Sequence, residues 1–261
     1  MFDFHIHTKV SFDSKEEPKN VIKAAEKLGL REICFTDHYD YGPETPALNN
    51  IFTPEDYFAA YNGVASDTVK IRRGVEFGIT EINNSELLRF TEQMHFDFVI
   101  GSVHYFDRLD PYGKEYWDAR TTKQAFSEYL EGTYRTVSAQ SGFDVLGHLN
   151  YVCKSMHNRT HEPLRYKDYS DISDEIMKVL VARGIGLEIN TSGIDRVGDF
   201  LPAADYLRRF KELGGEIVTL GSDAHTADRV GQYSSLATDL LKDIFGYVCT
   251  FEQRKPIFHK L

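Results

Sequence analysis

An α/β fold built on a parallel sheet is what this sequence predicts, and three features carry the prediction. Short apolar strands alternate with amphipathic helices, most strands read as near-continuous apolar runs, and no linker or low-complexity stretch interrupts the series. Seven such strands, joined by six helical stretches, admit two closures, a doubly wound open sheet or a barrel related to the (β/α)8 design. No Gly-x-Gly-x-x-Gly and no P-loop follows any strand, which removes the main motif of the doubly wound nucleotide binders. The unbroken series predicts one domain over residues 1–261.

The elements follow in order. FDFHIHT (residues 2–8) precedes PKNVIKAAEKLGL (18–30), in which Pro18 suits a first helical turn and Gly29 a helix end. EICFTDH (32–38) precedes TPEDYFAAYNGVA (53–65), again with a proline, Pro54, near the start. IRRGVEFGI (71–79) is paired with SELLRFTEQM (85–94), and FDFVIGSVHY (96–105) with TKQAFSEYLEGTYRTVSA (122–139). FDVLGHLN (143–150) leads to SDEIMKVLVARG (173–184), and GIGLEINTSG (184–193) to AADYLRRFKELGG (203–215); GEIVTLGSDAH (215–225) is the last strand. Gly184 and Gly214 mark helix ends. The long loops at 39–53 and 105–121, with CKSMHNRTHEPLRYKDYS (153–170), are expected to wall a site.

Composition narrows the function. A net charge of -10 argues against broad electrostatic binding to nucleic acid or an anionic membrane, while leaving room for an anionic substrate held by metal ions. Fifteen tyrosines and 18 phenylalanines predict a core rich in aromatic packing. Cys34, Cys153 and Cys249 are far apart with no Cys-x-x-Cys pair, the usage of a reducing compartment. No charged segment precedes a short apolar one and no apolar run approaches 18 residues, so a cytoplasmic protein is expected.

The histidines carry the chemistry. His5 and His7 lie two residues apart on the first strand and so point to one face. His38, His104, His148 and His225 each close a later strand; Glu76 ends the third, and Asp223 stands two residues before His225. Six of ten histidines at strand ends is not the scatter of structural imidazoles, the reading retained for His95 and His259. C-terminal ends of parallel barrel strands gather at one mouth, where such folds keep their chemistry. Imidazole and carboxylate without thiolate suit Zn²⁺, Mn²⁺ or Fe²⁺. Eight ligands exceed what one ion takes, and a shared carboxylate such as Glu76 is a common way to hold two ions about 3.5–4 Å apart.

The motifs DFHIHT, FTDH, GVEFG, GSVH, GH and GSDAH, in this order, resemble the PHP (polymerase and histidinol phosphatase) superfamily over essentially the whole chain. LEINTSG and the terminal RKPIF are similar to its stand-alone histidinol-phosphatase branch. The resemblance implies a distorted (β/α)7 barrel of the PHP type, holding up to three divalent metal ions (Zn, Mn or Fe). It also implies the ligand sets. His5, His7, Glu76 and Asp223 would hold the first ion, Glu76, His104 and His148 the second, and Asp13, His38 and His225 the third. Asp13 stands six residues beyond His7, where family members carry His or an acid; otherwise it is a loop acid or a helix cap.

The implied activity is hydrolysis of a phosphomonoester, most specifically L-histidinol phosphate to L-histidinol and inorganic phosphate in histidine biosynthesis. Metal coordination would lower the pKa of water from about 15.7 toward 7. Three divalent ions against Asp13, Glu76 and Asp223 leave the ligand set formally about three units positive, so an acidic protein can still hold a phosphate dianion. Arginine suits phosphate through its planar donor fork, and Arg196 and Arg159 lie at the right end of the barrel. Catalytic roles are therefore expected for Glu76, Asp223, His225, Arg196 and Arg159. His157 and His161 flank Arg159 and are either a leaving-group acid or exposed loop residues; Lys9 reads as solvated, and Asp37 and Asp144 as supporting acids. The cationic, aromatic organic half would suit Asp40, Tyr41, Tyr116 and Trp117, with Tyr41, Trp117 and His157 the expected substrate contacts beside the two arginines. Other readings are a nucleotide or sugar phosphoesterase, a nuclease, an amidohydrolase, and an inactive metal-binding scaffold. The nuclease lacks a basic groove, and the amidohydrolase a bridging lysine at a strand end.

Overall fold

The computed structural model describes residues 1–44 and 49–261, so residues 45–48 of the expected wall loop at 39–53 lie outside the described residues. Strands β1 (Phe2–Ile6), β2 (Glu32–Phe35), β4 (Lys70–Gly78), β5 (Phe98–Ser102), β6 (Val145–Leu146), β7 (Gly186–Asn190) and β8 (Val218–Gly221) form one parallel sheet in that spatial order. A short β3 (His38–Asp40) continues beyond β2 and pairs with the upper half of β4. A parallel bridge between Ile6 and Ala224, with the His7 amide donating to the Ala224 carbonyl at 2.8 Å, joins the first strand to the segment after the last. The sheet is thus a nearly closed seven-strand barrel, the closure expected from the family resemblance and not the doubly wound alternative.

Helices α1 (Pro18–Leu28), α2 (Pro54–Tyr61), α3 (Asn84–Met94), α5 (Thr122–Ala139), α6 (Ser170–Ala182) and α8 (Ala204–Glu212) are the crossovers the sequence predicts; α4 (Lys114–Asp118) and α7 (Ile194–Val197) are short turns within loops. Pro18 and Pro54 occupy first-turn positions, where no amide donor is needed. Gly29 caps α1 at φ 65°, a left-handed conformation that costs a residue with a Cβ. The expected aromatic packing is present outside β3 and β4, where Tyr39 stacks on Phe90 at 3.8 Å and on Phe77 at 5.3 Å, and Tyr57 packs on Tyr61 at 4.7 Å.

Two features lie outside the sequence expectations. Helix α9 (Ser234–Ile244) is followed by an antiparallel hairpin, β9 (Tyr247–Glu252) and β10 (Lys255–Lys260). Its two-residue turn uses Gln253 and Arg254, both at positive φ, in place of the usual Asn-Gly, and Pro256 stands in the second strand. The hairpin sits at the N-terminal ends of the barrel strands: Phe251 packs on Phe98 at 4.8 Å, and the Arg254 amide donates to the Asp97 carbonyl at 2.8 Å. His259 belongs to it, bonded to Thr250 at 2.7 Å, and His95 caps α3. The three cysteines are buried and free, and among the described residues no helix is long and apolar enough to cross a membrane.

Candidate metal centre

The backbone explains why the ligand candidates meet. His5 lies within β1, and His7 follows two residues later on the same face. Pairing of β3 with β4 sets His38 directly beside Glu76. His104 and His148 stand two residues beyond β5 and β6, and Asp223 and His225 follow β8. Asp223 adopts φ 57°, a left-handed conformation uncommon for a residue with a side chain. Gly221 is required just before it, because a Cβ there would collide with the Glu188 carboxylate and the His5 side chain.

Glu76 is the centre of the cluster and is fully buried. Its Oε2 faces His38 Nδ1 at 2.9 Å, His5 Nε2 at 3.2 Å and His7 Nε2 at 3.4 Å. Its Oε1 faces His148 Nε2 at 2.8 Å and His104 Nε2 at 3.2 Å. Asp223 Oδ1 lies 3.3 Å from His7 Nε2 and 3.7 Å from His5 Nε2. Asp13 Oδ2 lies 3.0 Å from His225 Nε2 and 3.6 Å from His38 Nε2. The His7 ring stacks on His225 at 4.1 Å and on His38 at 4.2 Å.

Such crowding is costly for protonated imidazoles. Burial, followed by His225 and His38, holds His7 well below its ordinary pKa, and burial also lowers His148. Burial works against charge on His5 too, yet Glu188, Glu76 and Asp223 raise it well above the ordinary value. Burial opposes ionisation of Glu76, but His5, His38 and His104 hold it well below the carboxylate range.

The donor set fits divalent ions, and the hydrogen bonding explains how. His5 Nε2, His7 Nε2, His38 Nδ1, His148 Nδ1 and Glu76 Oε2 are buried and make no hydrogen bond among the described residues. Buried polar atoms without partners are rare in proteins, and four of these five face one another across the cluster. The outer ring nitrogens of His5, His7 and His104 are anchored. His5 Nδ1 meets Glu188 Oε1 at 2.6 Å, His7 Nδ1 meets Ser11 Oγ at 3.0 Å, and His104 Nδ1 meets Asp40 Oδ1 at 2.8 Å. Outer partners of this kind fix ring orientation and leave the inner nitrogen for a metal. Groups that could hold an ion include His5–His7–Asp223, His5–Glu76–His148, His7–His38–His225 and His38–Asp40–His104.

A cavity of about 580 Å³ opens above the cluster, lined by Asp13, His38, His104, His148, Asp223 and His225. Arg196 also lines it, and among the described residues its guanidinium has neither ion pair nor hydrogen bond. The other expected substrate residues fall elsewhere, each for a physical reason. Trp117 is on the buried side of α4, its Nε1 donating to the Pro111 carbonyl at 2.9 Å, and Tyr116 is buried against the Ala125 carbonyl. The Tyr41 carbonyl accepts from Asn83 Nδ2, and Tyr41 packs against the hydrophobic core and does not line the cavity. Arg159 is 80% exposed and pairs with Asp118 at 3.1 Å; His157 beside it does not line the cavity either. Asp37 supports the cluster by accepting from the Thr8 amide at 2.6 Å and Ser11 Oγ at 2.9 Å, whereas Asp144 binds Arg254 at the opposite barrel end.

Several residues of the site escaped the sequence reading, Glu188 and Lys154 foremost. Glu188, buried in β7, braces His5 and accepts the His148 amide at 2.7 Å. Lys154, in a short 3-10 turn after His148, places Nζ 2.5 Å from Asp223 Oδ2, where Ser192 Oγ also donates at 3.1 Å. A carboxylate inside the apolar strand LEIN was the available signal for Glu188. Lys154 had no comparable signal in its polar loop.

A parallel barrel with a buried imidazole–carboxylate cluster at its C-terminal mouth is the arrangement of metal-dependent α/β-barrel enzymes. Within it, the chain belongs to the PHP domain family, whose model matches residues 3–192. It is 33% identical over 258 residues to a histidinol-phosphatase of Lactococcus lactis subsp. lactis, covering 97% of this chain and 95% of that one. A probable histidinol-phosphatase of Clostridium acetobutylicum is 32% identical, with 88% of this chain and 89% of the relative covered. The crystal structure of the Lactococcus lactis histidinol phosphate phosphatase, complexed with zinc, L-histidinol and phosphate, superposes with a TM-score of 0.86 at 30% identity, over 98% of each chain.

Proposed function

We propose that this protein is a metal-dependent phosphatase that hydrolyses L-histidinol phosphate to L-histidinol and inorganic phosphate, the dephosphorylation step of histidine biosynthesis. The observation that carries the reading is the division of Glu76, one oxygen toward His5, His7 and His38 and the other toward His104 and His148. Similarity to histidinol-phosphatases over nearly the full chain supports the substrate.

His5, His7, Glu76 and Asp223 would hold one ion, Glu76, His104 and His148 a second, and Asp13, His38 and His225 a third; zinc, manganese and iron all suit these donors. Bound ions would supply a nucleophilic water of lowered pKa and positive charge beside the phosphate. The chain's own residues do the rest. Arg196 presents two parallel N–H donors to the phosphoryl oxygens. Lys154 and Ser192 fix Asp223 Oδ2 so that Oδ1 faces the imidazoles. Tyr151, packed on His148 at 5.0 Å and His104 at 5.2 Å, covers one side of the cluster from water. As the ester P–O bond breaks, water's oxygen joins phosphorus and gives up a proton, and the departing alkoxide takes up one in return.

We further assign the protein to the cytoplasm as a single working domain with small-molecule rather than nucleic-acid partners, in keeping with its net charge of -10. The test is a substrate panel with the metal-loaded protein. L-histidinol phosphate is expected to exceed nucleoside monophosphates and sugar phosphates in kcat/KM by at least about 100-fold. Equal rates across the panel would replace this reading with that of a general phosphoesterase.

A further inference from the structure

The cavity has two unlike rims. On the side of β7 and β8 stand the unpartnered Arg196 and Arg229, the latter neutralised by Asp195 at 2.6 Å. On the side of β5 and β6 the lining is Tyr105, Asp110, Tyr112 and Tyr151. We infer that Asp110, set among these three tyrosines, reads the cationic, flat organic half of the substrate and sets specificity for it. This rests on the histidinol phosphate reading above and adds the residue that selects the leaving group.

The first argument is charge. Five carboxylates line the cavity. Asp13 meets His225 at 3.0 Å, Asp40 meets His104 at 2.8 Å, Asp195 meets Arg229 at 2.6 Å and Asp223 meets Lys154 at 2.5 Å. Asp110 alone has no cationic partner among the described residues; its side chain accepts only the Tyr112 amide, at 2.8 Å through Oδ1. An ammonium or imidazolium group would complete it with a charge-assisted hydrogen bond to Oδ2.

The second argument is shape. Tyr112 stacks on Tyr151 at 5.7 Å and 28°, and Tyr151 lies against His148 and His104. A flat aromatic wall therefore runs from the metal-ligand cluster outward to Asp110. Such a surface takes an imidazole ring by stacking and a cation by its π face.

The third argument is rigidity. Asp110 opens a turn closed by the Gly113 amide, which donates to the Asp110 carbonyl at 3.0 Å. Buried Trp117 Nε1 pins the Pro111 carbonyl at 2.9 Å, and Ser155 Oγ pins the Tyr112 carbonyl at 2.7 Å. The carboxylate is thus held in place before substrate arrives, which lowers the ordering cost of recognition. A sugar phosphate has no cation to offer it, and the position discriminates by leaving that carboxylate unmatched.

The experiment is Asp110→Asn in the metal-loaded protein. Asparagine keeps the Oδ1 acceptor for the Tyr112 amide, so the turn is retained, and only the charge is lost. Activities toward L-histidinol phosphate and phenyl phosphate, and calorimetric binding of L-histidinol, are measured for parent and variant. The ratio of kcat/KM for L-histidinol phosphate to that for phenyl phosphate is expected to fall about tenfold or more, chiefly through KM. L-histidinol binding should weaken equally, while inhibition by inorganic phosphate stays within about twofold. A parent that prefers L-histidinol phosphate and a variant that keeps the same ratio and the same L-histidinol affinity would overturn the assignment of Asp110 alone. Parallel loss on both substrates would make Asp110 a structural loop residue. A parent with no preference would bring down the substrate reading and this inference together.

Discussion

The two ends of the barrel are both rich in buried charge, and they treat it in opposite ways. At the N-terminal end, Arg72 lies 2.6 Å from Glu32 and 2.7 Å from Glu252, and Arg254 lies 2.6 Å from Asp144. The hairpin of β9 and β10 closes that end, and apart from Arg72 Nη2 its buried charges find partners. At the C-terminal end, imidazoles stack at 4.1–4.2 Å, and the inward-facing nitrogens of His5, His7 and His38 have no hydrogen bond among the described residues. One end is arranged for stability of the chain alone, whereas the other holds donors that only an added cation satisfies. Local conflict with folding is the mark of a working site.

The largest effect should come from breaking the closed end. Arg72→Leu leaves Glu32 buried without its cation, and about 3–5 kcal/mol of unfolding free energy should be lost in denaturant titrations, with kcat of the remaining folded enzyme unchanged. A parallel fall in kcat would mean the two ends are not independent.

At the open end, Arg196→Lys keeps the charge and loses the bidentate fork. We expect kcat/KM for L-histidinol phosphate to fall roughly 10–1,000-fold, or about 1.4–4 kcal/mol of transition-state stabilisation, with metal content unchanged. Near-parental kinetics and phosphate inhibition would remove Arg196 from the phosphate site.

The smallest effect concerns pH in the metal-free protein. Burial opposes protonation of His104, but Asp40 and Glu76 raise it to about 9 from 6.5. A pKa raised on folding adds stability that is complete below the unfolded value and is lost as pH climbs through the folded one. Chelated protein should therefore lose Tm between about pH 6.5 and 9, the loss shrinking in Asp40→Asn; metal-loaded protein, whose ligating nitrogen binds no proton, should lack this component. A Tm of chelated protein that rises over that interval, or a fall of equal size in Asp40→Asn, would contradict the pairing.

The contrast also explains what the sequence made legible. Candidate ligands such as His5, His7, His104 and His148 were readable because parallel strands deliver their C-terminal residues to one mouth, whatever the loops do. Glu76 and Asp223 followed from the same rule. Substrate residues were not readable that way, since loop conformation decides them: Trp117 turned inward to hold the turn bearing Asp110, and Arg159 turned outward to Asp118. The closing hairpin was hidden by a Gln253–Arg254 turn and by Pro256, both of which argue locally against paired strands.

The central claim is that the strand-end cluster is a metal centre and that the metal centre performs the hydrolysis. Metal content and L-histidinol phosphate turnover, measured on the same samples of parent and Glu76→Gln before and after chelation, test it most directly. The account predicts at least about two divalent ions per parent chain. It also predicts activity that vanishes with chelation and returns with Zn²⁺, Mn²⁺ or Fe²⁺, and a folded Glu76→Gln that neither retains the ions nor turns over substrate. Full activity in demonstrably metal-free parent, or parental metal content and turnover in Glu76→Gln, would contradict it.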